Sequence, residues 1–316
     1  MPQTQLSIVV PIYNESLNLQ VLHDRLVQAV SGITHDYEMV WVNDSSTDSS
    51  LEIIRAFAAA DTRHRYISFS RNFGHQVAIM AGLNKCTGLA AVVIDGDLQD
   101  PPELIPALWK KYLEGYKVVY AQRRTRAGEN VFRNAVIKLF YRLLHRTARI
   151  NIPVDTGDFR LIDRKVIDVL RQMPEQHKFL RGQIAWLGFR QAAVLYDRDS
   201  RYAGKSNYGL GKLIRLALDG FTAFSNYPLR VATVSGFIVS FIAFLIILYA
   251  LYSKFVLGGV ISGWTSLIIS TMFIGGVQLI CIGIIGEYIS RINSDVRRRP
   301  LYVVEEETAD PESSSL

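Results

Sequence analysis

The chain has 316 residues, 49% of them hydrophobic, and carries a formal net charge of +6. That length allows two domains, or one domain with appendages. Its two cysteines, Cys86 and Cys281, exclude a disulfide framework and a cysteine metal site. The positive balance does not argue for nucleic acid, because the basic residues gather beside apolar segments, where attraction to anionic lipid headgroups accounts for them.

In chain order, the first half alternates β-rich runs with helical stretches. "LSIVVPIY" reads as a strand and Ser16 to Val30 as a helix. "YEMVWVND", "RYISFS", "AAVVIDGD" and "YKVVYAQR" are further strands. Between them, "DSSLEIIRAFAAAD", "GHQVAIMAGLNKC" and "PPELIPALWKKYLEG" read as helices. This alternation predicts an α/β fold with a mainly parallel sheet, its strands apolar on both faces. "LSIVVPIY" is too short for a signal peptide, lacks a basic leader and meets Pro11, so a strand is the better reading. After residue 128 the pattern turns helical.

Ligands of such sheets bind beyond the carboxyl ends of the strands. Polar residues collect at those ends: Pro11 to Glu15, Asn43-Asp44, Ser70 to Asn72, Asp95 to Asp97 and Gln122 to Arg124. A G-x-G-x-x-G turn is missing after the first strand, which excludes the dinucleotide fingerprint. "AGKS" is no P-loop either, since Asp199 stands where its first glycine belongs. The stretch "VVIDGDLQDPPELI" holds four acids at one strand end. Asp100, Pro101 and Glu103 fit a helix start of the capping-box kind. Asp95 and Asp97 precede that start, and two hard oxygen donors at this spacing suit Mg²⁺ or Mn²⁺, with diphosphate oxygens completing the shell.

Two uncharged runs follow, one of about 23 residues between Arg230 and Lys254 and one from Phe255 to Gly286. Both predict transmembrane helices. Arg215 and Arg230 precede them and Arg291, Arg297, Arg298 and Arg299 follow, against Lys254 alone between them. That asymmetry predicts cytosolic termini. Residues 210–230 read as an interfacial amphipathic helix, or as a helix packed on the soluble domain. The "EEETADPESSSL" tail reads as disordered. The expected division is thus 1–209 catalytic, 210–230 interfacial, 231–290 membrane-spanning and 291–316 tail.

Together, "VVPIYNE", "VNDSSTDSS", "SRNFGHQVAIMAGL" and "DGDLQDPPE" resemble the family 2 glycosyltransferases. With the two apolar segments and "GEYISRI…RRRPLY", the chain is similar to their polyprenyl-phosphate group, which includes bactoprenol glucosyltransferases and dolichol-phosphate mannose synthases. The resemblance covers nearly the whole chain except the acidic tail. It implies a GT-A fold, a UDP-sugar donor, a polyprenyl phosphate acceptor and inverting transfer of a hexose at the cytoplasmic face of the lipid bilayer. Glucose is the favoured sugar, with formamido-arabinose and mannose as alternatives, and homo-oligomers occur in the group.

The same resemblance implies residue roles. Pro11, Tyr13 and Glu15 would line the nucleotide pocket, and Asp44 would accept from uracil. Asp95 would lie near ribose and metal, while Asp97 and Gln99 would hold the ion. Asp158 in "DTGDFRL" matches the catalytic carboxylate, and Arg201 and Lys205 match a basic phosphate-contacting loop. Arg123 is a further phosphate candidate. Read without the resemblance, Asp44 could cap a helix, Asp158 could be pinned by Arg160 or Arg164, and His75 is as readily structural as functional. A processive polysaccharide synthase fits less well, because a Q-x-x-R-W motif is missing. A membrane-anchored nucleotide-binding scaffold leaves the acids unexplained.

Overall fold

The computed structural model describes residues 4–124, 153, 156–196, 227–256 and 263–308. They fall into two units, one built on a sheet and one holding two long helices. The first unit begins β1 (Leu6–Ile12), α1 (Leu19–Ser31), β2 (Tyr37–Asn43), α2 (Ser50–Ala60), β3 (His64–Phe69), α3 (His75–Lys85), β4 (Ala90–Val93). A 3-10 turn, Pro102–Leu104, leads into α4 (Ile105–Leu113) and β5 (Val118–Arg123). Next come β6 (Thr156–Asp163), α5 (Arg164–Gln172), α6 (Leu180–Trp186) and β7 (Gln191–Tyr196). The helices α7 (Tyr227–Val256) and α8 (Trp264–Arg297) form the second unit, and β8 (Val304–Glu307) rejoins the sheet.

The strands lie in the order β7-β5-β6-β4-β1-β2-β3-β8. Four contacts are parallel (β1 with β2, β1 with β4, β2 with β3, β5 with β7), and β6 and β8 pair antiparallel to their neighbours. The expected mainly parallel α/β sheet is therefore present, as a mixed sheet. Every residue of β1, β2 and β4 is buried, as helices on both faces require. Ile8, Val10, Met39 and Trp41 pack with α1, α2 and α4 in one core layer. Val9, Val40, Val42, Ile67 and Phe69 pack with α3, α5 and α6 in the other. Strand order reverses at β1, whose neighbours are β2 and β4, and a crevice at such a switch point is where α/β sheets take ligands.

Three sequence expectations are corrected. Beyond residue 146, the part of the chain read as turning helical after residue 128 contains β6 and β7. Their polar residues hide them from a hydrophobic pattern, because "TGDFRLID" is wholly buried despite its charges. The tail read as disordered contributes β8, since Glu306 and Glu307 find cationic partners on the sheet unit. The capping box at Asp100 does not form. The turn at Pro102 has no side-chain cap, Asp100 is turned inward, and Glu103 instead takes two hydrogen bonds from Arg25 of α1, at 2.8 and 2.7 Å.

Among the described residues, one helical stretch is long and apolar enough to cross a membrane: Ser270–Arg297 of α8, with mean hydropathy 1.8. Val231–Ile246 of α7 is a shorter apolar stretch. Large apolar side chains on both helices are exposed, among them Phe237, Phe241, Met272 and Leu279. Arg201, Lys205, the 128–146 helical reading and residues 210–226 of the interfacial reading lie outside the described residues.

Candidate active site

The loops after β1, β2 and β4 each contain a non-glycine residue in the left-handed region: Asn14, Ser45 and Leu98, all at φ 57°. For leucine this conformation costs about 1–2 kcal/mol. Leu98 is buried in the core, and that burial, worth about 1.5–3 kcal/mol, offsets the strain. The anchored Leu98 sets the shape of the Asp95–Asp97 turn. Asp97 Oδ1 accepts from the Gln99 N–H at 3.1 Å, closing it further. A Cβ at Gly96 would stand 3.5 Å from both Pro11 O and Glu15 Cγ, so the β1 and β4 loops meet at this point.

Strand β6 brings the second half of the site. It pairs antiparallel with β4, Ala90 opposite Asp163 and Val93 opposite Arg160. Continuing that register two positions sets Asp158 opposite Asp95. Between them stands His75, the first residue of α3, its Nε2 3.3 Å from Asp95 Oδ1 and 3.3 Å from Asp158 Oδ2. Arg181 Nε donates to Asp158 Oδ1 at 2.9 Å, and Gln76 Nε2 donates to Oδ2 at 3.0 Å. Gln76 Oε1 in turn accepts from the Leu180 N–H at the start of α6 (3.2 Å). Arg160 Nη2 lies 3.6 Å from Asp158 and donates to Gly157 O at 2.8 Å.

Of the anticipated partners of Asp158, Arg160 is present and Arg164 is not. Arg164 donates to the carbonyls of Cys86 and Gly88. His75, Gln76 and Arg181 belong to the site and were not assigned to it from sequence. The "NFGHQ" motif flagged the first two without giving a role, whereas Arg181 carries no local signal.

These neighbours divide the electrostatics. Burial opposes charge on Asp158, yet Arg181, His75 and Arg160 outweigh it and hold the carboxyl well below the usual carboxylate range. At Asp95 burial dominates; with the repulsion of Asp158, Asp100 and Asp97 it exceeds the pull of His75 and raises the carboxyl to about 6. Burial also opposes charge on His75, but Asp95 and Asp158 prevail and lift the ring to about 9.

The remaining candidates divide by surroundings. Tyr13 is 49% exposed at the rim. Glu15 accepts from Asn18 Nδ2 at 2.6 Å. Asp44 is buried and accepts from the backbone N–H groups of Phe73 (2.6 Å) and Gly74 (2.9 Å), which fixes the loop leading to His75. It does not cap α2, whose N-cap residue is Ser49; Asp48 accepts from the Ser50 N–H at 3.0 Å in the turn before the helix. Arg123 faces inward, with Nε 3.3 Å from Tyr196 Oη and Nη2 3.9 Å from Asp100, and Tyr196 donates to Asp100.

The residues fit a divalent cation. Asp95 Oδ1 is a buried oxygen with no aligned hydrogen-bond donor, and it sits among mutually repelling carboxylates that a cation would relieve. Among the described residues no group of three or more His, Cys, Asp or Glu side chains forms a complete cage. Asp95 and Asp97 therefore suit an ion that completes its shell with water or substrate oxygens.

Residues 7–171 match the glycosyl transferase family 2 model. The chain is 47% identical over 301 residues to an uncharacterized glycosyltransferase, YkcC, of Bacillus subtilis, covering 95% of this chain and 93% of the relative. It is 38% identical over 300 residues to the SfII prophage-derived bactoprenol glucosyl transferase of Shigella flexneri, covering 95% and 97%. A glucosyl-3-phosphoglycerate synthase structure from Mycobacterium tuberculosis, solved with Mn²⁺, UDP and phosphoglyceric acid, superposes with TM-score 0.48 at 22% identity, over 69% of this chain and 76% of that one. By the family match and these full-length relatives, the chain belongs to glycosyl transferase family 2 and is a glycosyltransferase.

Proposed function

We propose that the protein transfers glucose from UDP-glucose to a polyprenyl phosphate, with inversion at the anomeric carbon and release of UDP. The observation that carries this reading is the pairing of Asp95 with Asp158 across His75, in a family 2 chain related along 95% of its length to a bactoprenol glucosyl transferase. Pro11, Tyr13 and Glu15 line the nucleotide pocket, where the exposed Tyr13 ring offers a face for the base. Asp44 shapes that pocket through the 73–74 loop, and its oxygens keep acceptor capacity for uracil. Asp95, Asp97 and Gln99 would hold Mg²⁺ or Mn²⁺, which when bound neutralises charge on the departing diphosphate.

In the transfer, an acceptor phosphate oxygen forms the new bond to the anomeric carbon while the bond to the UDP oxygen breaks, its electron pair leaving with UDP. A phosphate monoester has a second pKa of about 6, so the acceptor arrives mostly deprotonated and needs no strong base. Asp158, held ionised by Arg181, Gln76, His75 and Arg160, is a poor proton acceptor. Its fixed negative charge instead orients the reactants and favours positive charge building on the sugar. Arg201 and Lys205 meet the acceptor phosphate; Arg123 we assign to the inward cluster with Asp100 and Tyr196.

Helices α7 and α8 are read as two membrane spans with the sheet unit and both termini cytosolic. Exposed apolar side chains on both helices and the flanking arginines support this arrangement. On this reading the division is a catalytic 1–209, an interfacial 210–230, spans within 231–290 and a cytosolic end whose β8 belongs to the catalytic sheet. Membranes containing the full chain, incubated with labelled UDP-glucose and undecaprenyl phosphate, should yield a lipid carrying one glucose. A polymeric product, or no transfer to lipid, would overturn the proposal.

A further inference from the structure

Strand β8 lies beyond α8 in sequence, far from every residue assigned to the chemistry, yet it is fastened to the sheet on both faces. Adjacent residues of a strand point to opposite faces. Glu306 accordingly takes two hydrogen bonds from Arg55 of α2, at 2.9 and 2.7 Å, and Glu307 pairs with Lys85 of α3 at 3.0 Å on the other side. The backbone continues the pairing past both ends of β8. Ser70 N–H donates to Val303 O at 3.1 Å, and Thr308 N–H donates to Tyr66 O at 3.0 Å. Thr308 Oγ1 also accepts from the Tyr66 N–H (2.6 Å).

What this fastening holds is the segment that leads to His75. The Tyr302 ring stacks on Phe69, the last residue of β3, at 4.9 Å between centroids. Phe69 meets Phe73 edge to face at 5.7 Å. Phe73 and Gly74 give their N–H groups to Asp44, and His75 follows directly. Gly74 has φ 102°, so the chain enters α3 through a residue with little conformational preference of its own. Its path depends on what grips either side: Asp44 within the loop, and the Tyr302–Phe69–Phe73 stack before it.

We infer that residues 301–308 are a positioning element of the active site, with Tyr302 as the key positioning residue: through Phe69 and Phe73 they set the loop that presents His75 between Asp95 and Asp158. Full-length protein in detergent, with Tyr302→Ala, Tyr302→Phe and Glu306→Arg variants, provides the test by hydrogen–deuterium exchange and by steady-state transfer. Loss of one aromatic pair predicts exchange about tenfold faster across residues 70–76 in Tyr302→Ala, with wild-type exchange in Tyr302→Phe. Glu306→Arg should act in the same direction, and adding Arg55→Glu should restore protection. This variant changes an exposed pair, so it decides the matter should Tyr302→Ala fail to fold.

The kinetic measurement rests on the proposed glucosyl transfer; the exchange measurement does not. In Tyr302→Ala, kcat/KM should fall about tenfold, in proportion to the loss of protection. Unchanged exchange at 70–76 in Tyr302→Ala and Glu306→Arg would overturn the inference, as would faster exchange with wild-type kcat/KM. A wild-type chain that transfers no glucose would refute the functional reading alone.

Discussion

Replacing Arg181 by alanine tests the arrangement around Asp158. The Arg181 Nε–H reaches Asp158 Oδ1 at 2.9 Å, and the Asp158 side chain is only 8% exposed. Stripping a buried charge of its partner costs about 3–5 kcal/mol when nothing else compensates. Here His75 at 3.3 Å and Arg160 at 3.6 Å remain, so the loss is nearer that of one charge-assisted hydrogen bond, about 2 kcal/mol. The kinetic effect should be larger in proportion. With only Gln76 and His75 gripping its other oxygen, the carboxylate can swing, and a displacement of about 1 Å costs roughly 100-fold in rate. Arg181→Lys keeps the charge but loses the planar donor set, and should fall between wild type and alanine. Denaturation midpoints in detergent, with kcat and KM for lipid glucosylation, measure both effects. An alanine variant with unchanged midpoint and kcat within twofold would refute the argument that Arg181 holds Asp158 in its working position.

Asp97→Asn should abolish transfer, as should chelation of the wild type; added Mn²⁺ should rescue only the latter, and chelator-resistant activity would disprove the metal assignment. Asp158→Asn should lose most turnover while still binding UDP-glucose, with the defect persisting at alkaline pH, because its low pKa makes proton removal a minor part of its role. Recovery towards wild type at high pH would show that proton removal is the function lost. Acid should also weaken the fold through His64, whose ring is 2% exposed and accepts from Trp41 Nε1 at 3.2 Å. Burial, with His23 adding, lowers this histidine to about 4 from 6.5, so the unfolded chain binds the extra proton first. Stability is then complete above pH 6.5 and falls by about 3 kcal/mol as the pH drops towards 4. Denaturation of wild type and His64→Phe across that range checks it, since equal pH slopes would exclude His64 as the source.

Much of this protein was legible in the order of its residues because the relevant physics is local or periodic. Fully apolar runs such as "LSIVVPI" specify buried strands, and the helices between them require crossovers, so the parallel core of the sheet followed directly. The place of Asp95 and Asp97 was readable for the same reason: a strand end is a one-dimensional feature, and in such sheets that end is where ligands bind. The length and apolarity of residues 270–297 are likewise properties of the chain alone.

Tertiary structure decided what depends on residues distant in sequence. Asp158 comes to face Asp95 because β6 inserts antiparallel beside β4, a pairing that no local pattern in "DTGDFRLID" announces. Arg181, on a helix of seven residues, becomes part of the site only when α6 packs on α3's side of the sheet and Gln76 ties its start to Asp158. Asp100 fits a helix cap by spacing, but a buried carboxylate goes where a donor and an opposite charge can satisfy it, here the Tyr196 hydroxyl and the Arg123 guanidinium on other strands. The acidic end reads as disorder when its charges are counted alone. Beside Arg55 and Lys85, with a free strand edge at β3 to complete, the same charges fasten the last strand of the sheet.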